Sequence, residues 1–145
     1  MPVTAQAREA EGPAVPAPPL LPQGAAGKVP ADRWTWRTPA GRAVSGAVGA
    51  AALGGAFALG GALEPAFWAA LVAPDSVFFF GAKEPAPFAR RYNTLHDPRI
   101  AAGLLAAGTA LRSRRLLVAG LGWTAHIAID RAFGFGRRRP DGAVH

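Results

Sequence analysis

The stretch LLVAGLGWTAHIAIDRAFGFG, residues 116–136, decides the fold that we expect for this chain. It is almost purely apolar until a histidine, an aspartate and an arginine follow one another between positions 126 and 131. His126 and Asp130 are four residues apart and therefore lie on the same face of a helix. Gly134 and Gly136 then end the pattern, since glycine adopts the left-handed conformation that closes many helices. We expect a long helix with ionisable groups near its carboxyl end.

Further apolar runs precede this helix at residues 43–63, 66–82 and 88–111. The first contains no charged residue over 21 positions, which is enough to cross a hydrocarbon core of about 30 Å. Pro74 interrupts the second run, and the third begins polar, with Pro98 near the point where it becomes apolar. The sequence therefore predicts an all-α protein, a four-helix integral membrane bundle over residues 38–136.

The two ends of the chain differ from this apolar body. Residues 1–37 are rich in proline and alanine and have no hydrophobic periodicity, which predicts a disordered N-terminal tail. Trp34 and Trp36 are flanked by arginines, a composition typical of the membrane–water interface. Residues 137–145 predict a basic, solvated C-terminal tail.

The basic residues give a net charge of +7, and their placement favours a membrane protein over a nucleic-acid-binding one. Basic residues stand at the edges of the apolar runs, and no helix face collects them with interleaved aromatic side chains, so we expect no nucleic-acid partner. If all four helices span, fifteen basic residues divide twelve to three between the two sides. This bias predicts a multi-pass membrane protein with both termini cytoplasmic. The twelve are Lys28, Arg33, Arg37, Arg42, Lys83, Arg90, Arg91, Arg99, Arg131, Arg137, Arg138 and Arg139, and the three are Arg112, Arg114 and Arg115.

Polar residues within or beside the apolar runs form the candidate site. Charged side chains in a bilayer usually face the bundle interior and find partners. The predicted topology brings one end of the second, third and fourth helices to the cytoplasmic face, so we expect these residues to form one cluster there. The cluster comprises Asp75, Tyr92, Asn93, His96, His126, Asp130 and Arg131.

Two interpretations of this cluster remain open. In the structural one, Asp130 accepts a hydrogen bond from His126, while Asn93 and His96 bond to Asp75 or to backbone freed by Pro74. In the chemical one, Asp75, His96, His126 and Asp130 hold a divalent metal such as Zn²⁺ or Mn²⁺, and the protein is a metal-dependent membrane hydrolase of an ester or phosphodiester. A helical His–Asp pair is more often packing than catalysis, which favours a structural cluster in a membrane protein without enzymatic activity. The sequence contains no nucleotide or organic-cofactor motif.

The first helix carries a stripe of small residues at intervals of four. Such a stripe lets another helix approach closely, and it predicts a homo-oligomer that forms through the first helix. A small transporter subunit, a third class of function, would need such assembly because four short helices enclose little space. The stripe consists of Gly46, Ala50, Gly54, Ala58 and Ala62.

Three motifs, APDS with a following glycine, YNTLH and WTAHIAIDRAFGFG, resemble domain of unknown function 4260, a family of small bacterial integral membrane proteins. The resemblance covers about residues 42–136. It implies the fold and a location in the bacterial cytoplasmic (inner) membrane, and no activity comes with it. A more distant similarity is to inner-membrane metal-dependent hydrolases, which also combine a Pro-Asp motif with helical histidines and aspartates. Phe135 departs from the pattern, which usually has tyrosine there, and RRRPDG replaces a Leu-Lys-Tyr continuation. The matching positions are Pro74, Asp75, Ser76, Gly81, Tyr92, Asn93, His96, His126, Asp130, Arg131, Gly134 and Gly136.

Overall fold

A computed structural model describes residues 36–80 and 83–143 of the chain. These residues form helices joined by short turns and contain no β-strand, so the predicted all-α class is confirmed. The α-helices are α1 (Pro39–Ala58), α2 (Pro65–Val72), α3 (Val77–Phe80), α4 (Pro85–Leu95), α5 (Pro98–Ala110) and α6 (Arg114–Phe133). Two 3₁₀ turns, Gly61–Leu63 and Ala73–Ser76, lie before and after α2.

Prolines divide two of the predicted helical segments. Pro74 lies in the 3₁₀ turn that separates α2 from α3. The single helix predicted over residues 88–111 is wrong, because the chain leaves the helix at His96 and Asp97 and starts α5 at Pro98. Proline has no N–H and disfavours a helical conformation in the residue before it. Asp97 instead caps α5, accepting a hydrogen bond of 2.9 Å from the backbone N–H of Arg99.

Helix α6 is the centre of the fold, since α1, α2 and α5 all pack against it. At two of these helix crossings, a glycine of α6 allows the neighbouring helix to approach closely. A Cβ atom added to Gly122 would lie 2.7 Å from the carbonyl oxygen of Phe67, and one added to Gly120 would lie 2.8 Å from Cγ of Leu105. The hydrophobic core beside these crossings contains Ala56, Phe67 and Val118.

Helix α1 packs against α6 mainly through residues outside the predicted small-residue stripe. Gly49, Ala52 and Ala56 are buried on α1. Of the stripe, Gly46 approaches α6, with an added Cβ 3.7 Å from Cβ of Ala132. The remaining stripe residues, Ala50, Gly54, Ala58 and Ala62, are exposed. The homo-oligomer predicted through the stripe stays a prediction.

Within the ranges 36–80 and 83–143, no helix has both the length and the apolar character needed to cross a membrane. The membrane location and the orientation of the termini remain predictions from the sequence. The predicted disordered tail lies outside the described residues, except for Trp36 and Arg37.

Candidate metal centre

Three separate segments bring ionisable side chains to one end of α6. Asp75 lies in the 3₁₀ turn between α2 and α3, and His96 is the C-cap of α4. His126 and Asp130 stand one turn apart on α6 itself. The two proline-linked breaks therefore place Asp75 and His96 beside the carboxyl end of the central helix.

The ligand-type atoms of these four residues all lie within 4.8 Å of one another. The Nε2 atoms of His96 and His126 are 3.2 Å apart. Oδ2 of Asp130 lies 3.3 Å from the His96 nitrogen and 3.6 Å from the His126 nitrogen. Oδ1 of Asp75 lies 3.6 and 3.7 Å from the same two nitrogens. Two imidazole nitrogens and two carboxylate oxygens thus converge on one point.

These separations match the edges of a metal coordination tetrahedron. Zn²⁺ binds histidine nitrogen and carboxylate oxygen at about 2.0–2.2 Å, and a tetrahedron with such bonds has edges of about 3.3–3.6 Å. The five nitrogen–nitrogen and nitrogen–oxygen distances of 3.2–3.7 Å fall close to that range. The donor set of two histidines and two aspartates also suits Zn²⁺ or Mn²⁺. The sixth separation, between the two carboxylate oxygens, is at most 4.8 Å, so the four residues form a geometric candidate for a divalent-cation site.

The hydrogen bonding of His96 leaves its inward nitrogen available as a ligand. Nδ1 of His96 lies 2.9 Å from the backbone carbonyl oxygen of Tyr92. A carbonyl oxygen can only accept, so Nδ1 carries the proton and the neutral ring has its lone pair on Nε2. Metal-binding histidines commonly donate their other ring N–H in this way. The ring also stacks on the Tyr92 side chain one turn earlier in α4.

Tyr92 is hydrogen-bonded to the cluster through Asp130. Its hydroxyl donates to Oδ2 of Asp130 over 3.5 Å. Burial, and after it the negative charge of Asp130, raise the pKa of Tyr92 to about 12. The phenol therefore stays protonated at neutral pH and acts as a hydrogen-bond donor to the carboxylate.

The cluster is buried on one side and accessible on the other. His96 is 7% exposed and His126 is 10% exposed, whereas Asp75 is 46% exposed. A cavity of about 70 Å³ lies against His96 and Asp130, which is space for about two water molecules. Water-sized molecules can thus reach His96 and Asp130 through this cavity, and Asp75 is accessible from solvent.

Arg131 and Arg137 line the same cavity. Burial lowers the pKa of the Arg131 guanidinium, and the positive charge of Arg137 lowers it further. Arg137 lies 3.8 Å from Asp97, while Arg131 makes no salt bridge or side-chain hydrogen bond with any described residue. The cavity therefore presents an unpaired positive charge next to the four carboxylate and imidazole groups.

Asn93 lies outside the group of four and holds the C-terminal segment instead. Its Oδ1 accepts a hydrogen bond of 2.8 Å from the backbone N–H of Arg138, and its Nδ2 donates one of 2.9 Å to the carbonyl oxygen of Arg138. The Arg138 guanidinium packs over the ring of Tyr92 at 4.8 Å and over Phe88 at 5.3 Å. The prediction of a solvated tail is wrong for Arg138, because these contacts bury it partly against α4.

Two further contacts shape the site and were not predicted from the sequence. Trp36 lines the cavity and packs against Gly136, where any Cβ would collide with its ring. Trp123 donates through Nε1 to the carbonyl oxygen of Leu95 over 2.9 Å, which ties α6 to the end of α4 beside His96. The glycine of the GFG motif was the available signal for Trp36, since it marks a place where another group approaches closely.

Comparison with known proteins supports a family assignment. No curated protein and no solved structure matches the chain. The family model described as domain of unknown function (DUF4260) matches residues 46–145, a span that contains Asp75, His96, His126 and Asp130. The chain therefore belongs to the DUF4260 family.

Proposed function

We propose that the protein is a divalent-metal-dependent hydrolase whose metal is held by His96, His126 and Asp130, with Asp75 beside it. The observation that carries the proposal is the spacing of the three ligand atoms, which lie 3.2, 3.3 and 3.6 Å from one another. The proton that the Tyr92 carbonyl holds on Nδ1 of His96 leaves Nε2 of the neutral ring with a lone pair that a cation can use.

The exposure of Asp75 and the adjoining cavity favour catalysis over a closed structural site. Structural zinc sites use four protein ligands, whereas catalytic sites keep one position open. Asp75 is the most exposed member and lies farthest from the two imidazole nitrogens. A divalent cation supplies Lewis acidity and makes water a nucleophile near neutral pH.

The reaction consistent with this arrangement is hydrolysis of an ester. The oxygen of water forms a bond to the acyl carbon or to phosphorus, and the ester C–O or P–O bond breaks. Asp75 accepts the proton that the water releases and passes it to the leaving alkoxide. The positive charge of Arg131, which lines the cavity beside Asp130, stabilises negative charge that develops on the reacting group.

Metal analysis of the purified full chain tests the proposal. We expect about one Zn²⁺ or Mn²⁺ per chain, loss of the metal in His96→Ala and His126→Ala, and retention of the metal in Asp75→Asn. Hydrolysis of p-nitrophenyl esters of acetate and phosphate should fall by at least about a hundredfold in Asp75→Asn.

The structural interpretation predicts the opposite results. A chain that binds neither Zn²⁺ nor Mn²⁺ at micromolar concentration, and that unfolds at the same temperature with and without chelator, would leave the cluster as packing alone. A chain that binds the metal through His96 and His126 and hydrolyses neither ester above the uncatalysed rate would be a metal-binding protein without this activity.

We also propose that lipid covers part of the helical unit. Several large apolar side chains are exposed, among them Leu63, Phe79 and Phe80. Phe79 and Phe80 are adjacent and more than four-fifths exposed, and the predicted membrane location accounts for this exposed pair. We expect the full chain to float with phosphatidylglycerol vesicles in a density gradient. Recovery of the chain at the bottom of the gradient would contradict this location.

A further inference from the structure

A shallow groove runs along α6 between α1 and α5, next to the cavity at the candidate metal site. It has a volume of about 370 Å³, which lies in the lower part of the range for small-molecule sites. Its floor is α6 and its walls include Val48 from α1 and Ala101 and Leu105 from α5. Thr124 also lines it, but its hydroxyl donates to the carbonyl oxygen of Gly120 over 2.8 Å, so the groove offers a largely apolar surface.

The groove and the cavity at the cluster share two residues, Ile127 and Arg131. Arg131 therefore stands where the apolar surface ends and the polar cavity begins. Beyond it lie Asp130 and His96, two of the groups that converge on the metal position. The apolar groove, Arg131 and the cavity against His96 and Asp130 therefore lie next to one another on α6.

We propose that the substrate is a single-chain amphiphile with an anionic head group, such as an alkyl or acyl phosphate ester. The hydrocarbon chain lies in the groove on α6, the anionic oxygens pair with Arg131, and the ester bond reaches the metal cluster. This inference rests on the proposed function for the reaction, but the binding of the amphiphile depends on the groove and on Arg131.

Charge and shape together select this occupant over a free anion or a neutral chain. Arg131 forms no salt bridge with any of residues 36–80 and 83–143. Asp97 attracts it only from beyond salt-bridge distance, and Asp97 itself pairs with Arg99 and Arg137. A half-buried guanidinium is stabilised by an anion that pairs with it. A small anion would use Arg131 and leave the groove empty, whereas a neutral or cationic chain would use the groove and leave Arg131 unpaired. One anionic amphiphile both fills the groove and pairs with Arg131.

Binding of dodecylphosphonate, which has no hydrolysable ester bond, tests the inference separately from catalysis. The full chain, transferred from detergent into amphipol and freed of metal with EDTA, would be titrated by isothermal calorimetry, a readout that added tryptophans do not change. We expect dodecylphosphonate to bind at least about tenfold more tightly than methylphosphonate and than dodecyltrimethylammonium, since each of these lacks one of the two contacts.

Variants locate the binding. Arg131→Gln removes the charge and Val48→Trp fills the groove from an exposed position, and each should weaken dodecylphosphonate binding by about tenfold. Ala51→Trp places the same ring at an exposed position of α1 outside the groove, and this control should bind like the parent chain. Circular dichroism of each variant checks that the helices are retained.

Two results would overturn the inference. Equal binding of dodecylphosphonate and dodecyltrimethylammonium would mean that Arg131 does not favour an anionic head group. Unchanged binding in Val48→Trp and Arg131→Gln, with the helices intact, would place the amphiphile elsewhere on the protein. Failure of the proposed function has a different signature, because a chain that binds no metal can still bind dodecylphosphonate in the predicted way.

Discussion

The imidazole of His96 lies on the ring of Tyr92, with ring centroids 3.8 Å apart and an angle of 16° between the planes. The two residues are one helical turn apart, and the Tyr92 carbonyl also fixes the proton of His96 on Nδ1. Tyr92 thereby sets both the orientation and the tautomer of one candidate ligand, while its hydroxyl reaches a second, Asp130. One side chain and its own carbonyl thus position two of the four groups.

The substitution Tyr92→Phe separates these contributions. It keeps the ring on His96 and removes the hydroxyl that donates to Asp130, so we expect Zn²⁺ affinity to fall by about tenfold, as for other groups that support metal ligands. Competition with a chromophoric chelator at constant pH measures the change. Phe88→Leu, which alters a neighbouring ring that does not touch the four groups, is the control. Equal affinity in Tyr92→Phe and the parent chain would show that the hydroxyl does not support Asp130.

The pKa of Tyr92 can be read directly, because the chain contains one tyrosine. Tyrosinate absorbance should titrate near pH 12, to which burial and then the charge of Asp130 raise this pKa, and not near the ordinary value of about 10. A raised folded-state pKa contributes stability that is present below about pH 10 and is lost as the pH rises towards 12. Asp130→Asn should move the titration to lower pH. An unchanged midpoint in this variant would contradict the assigned contribution of Asp130.

Alanine substitution at two helical glycines, Gly122 and Gly54, should change the free energy of unfolding in opposite directions. In Gly122→Ala the new Cβ would lie 2.7 Å from the Phe67 carbonyl oxygen, so we expect the free energy of unfolding to fall by about 1–3 kcal/mol. Gly54 is exposed on α1 with no atom within 4 Å of an added Cβ. Gly54→Ala should therefore raise the free energy of unfolding by about 0.5–1 kcal/mol. Urea unfolding followed by circular dichroism compares the two, and destabilisation by Gly54→Ala would indicate that the exposed stripe of α1 is an interface.

The contact of Asn93 with Arg138 predicts how the C-terminal segment detaches. Asn93→Ala removes both hydrogen bonds to the Arg138 backbone, which together stabilise the docked segment by about 1–3 kcal/mol. Trypsin should then cleave after Arg138 faster than in the parent chain, as mass spectrometry would record. Thr94→Ala is the matched control, since the exposed Thr94 hydroxyl bonds within its own helix to Arg90. Equal cleavage rates in the two variants would mean that Asn93 does not hold the segment.

Helical spacing accounts for what the sequence predicted of the site and for what it missed. Tyr92 and His96 are four residues apart and face the same way, and His126 and Asp130 repeat that relation on α6. Asn93 was assigned to the same cluster, although adjacent residues of a helix point about 100° apart. It faces the C-terminal segment for that reason.

Other features depend on tertiary contacts that no local pattern encodes. Arg138 is held by rings from two helices, Phe78 on α3 and Phe88 and Tyr92 on α4. The packing face of α1 could not be distinguished from its exposed stripe, because alanine and glycine occupy all sides of that helix. The break before α5 follows from Pro98, whose position near the polar-to-apolar change was visible in the sequence.

The convergence of Asp75, His96 and the α6 pair also bears on how the chain holds together. The chain contains no cysteine, and His96 and His126 are 30 residues apart. A cation bonded to both would act as a removable cross-link that closes this loop. Closing a loop of that length covalently lowers the entropy of the unfolded chain by an amount equivalent to about 3–4 kcal/mol. The same ion that supplies the chemistry would then fasten the end of α4 to the central helix.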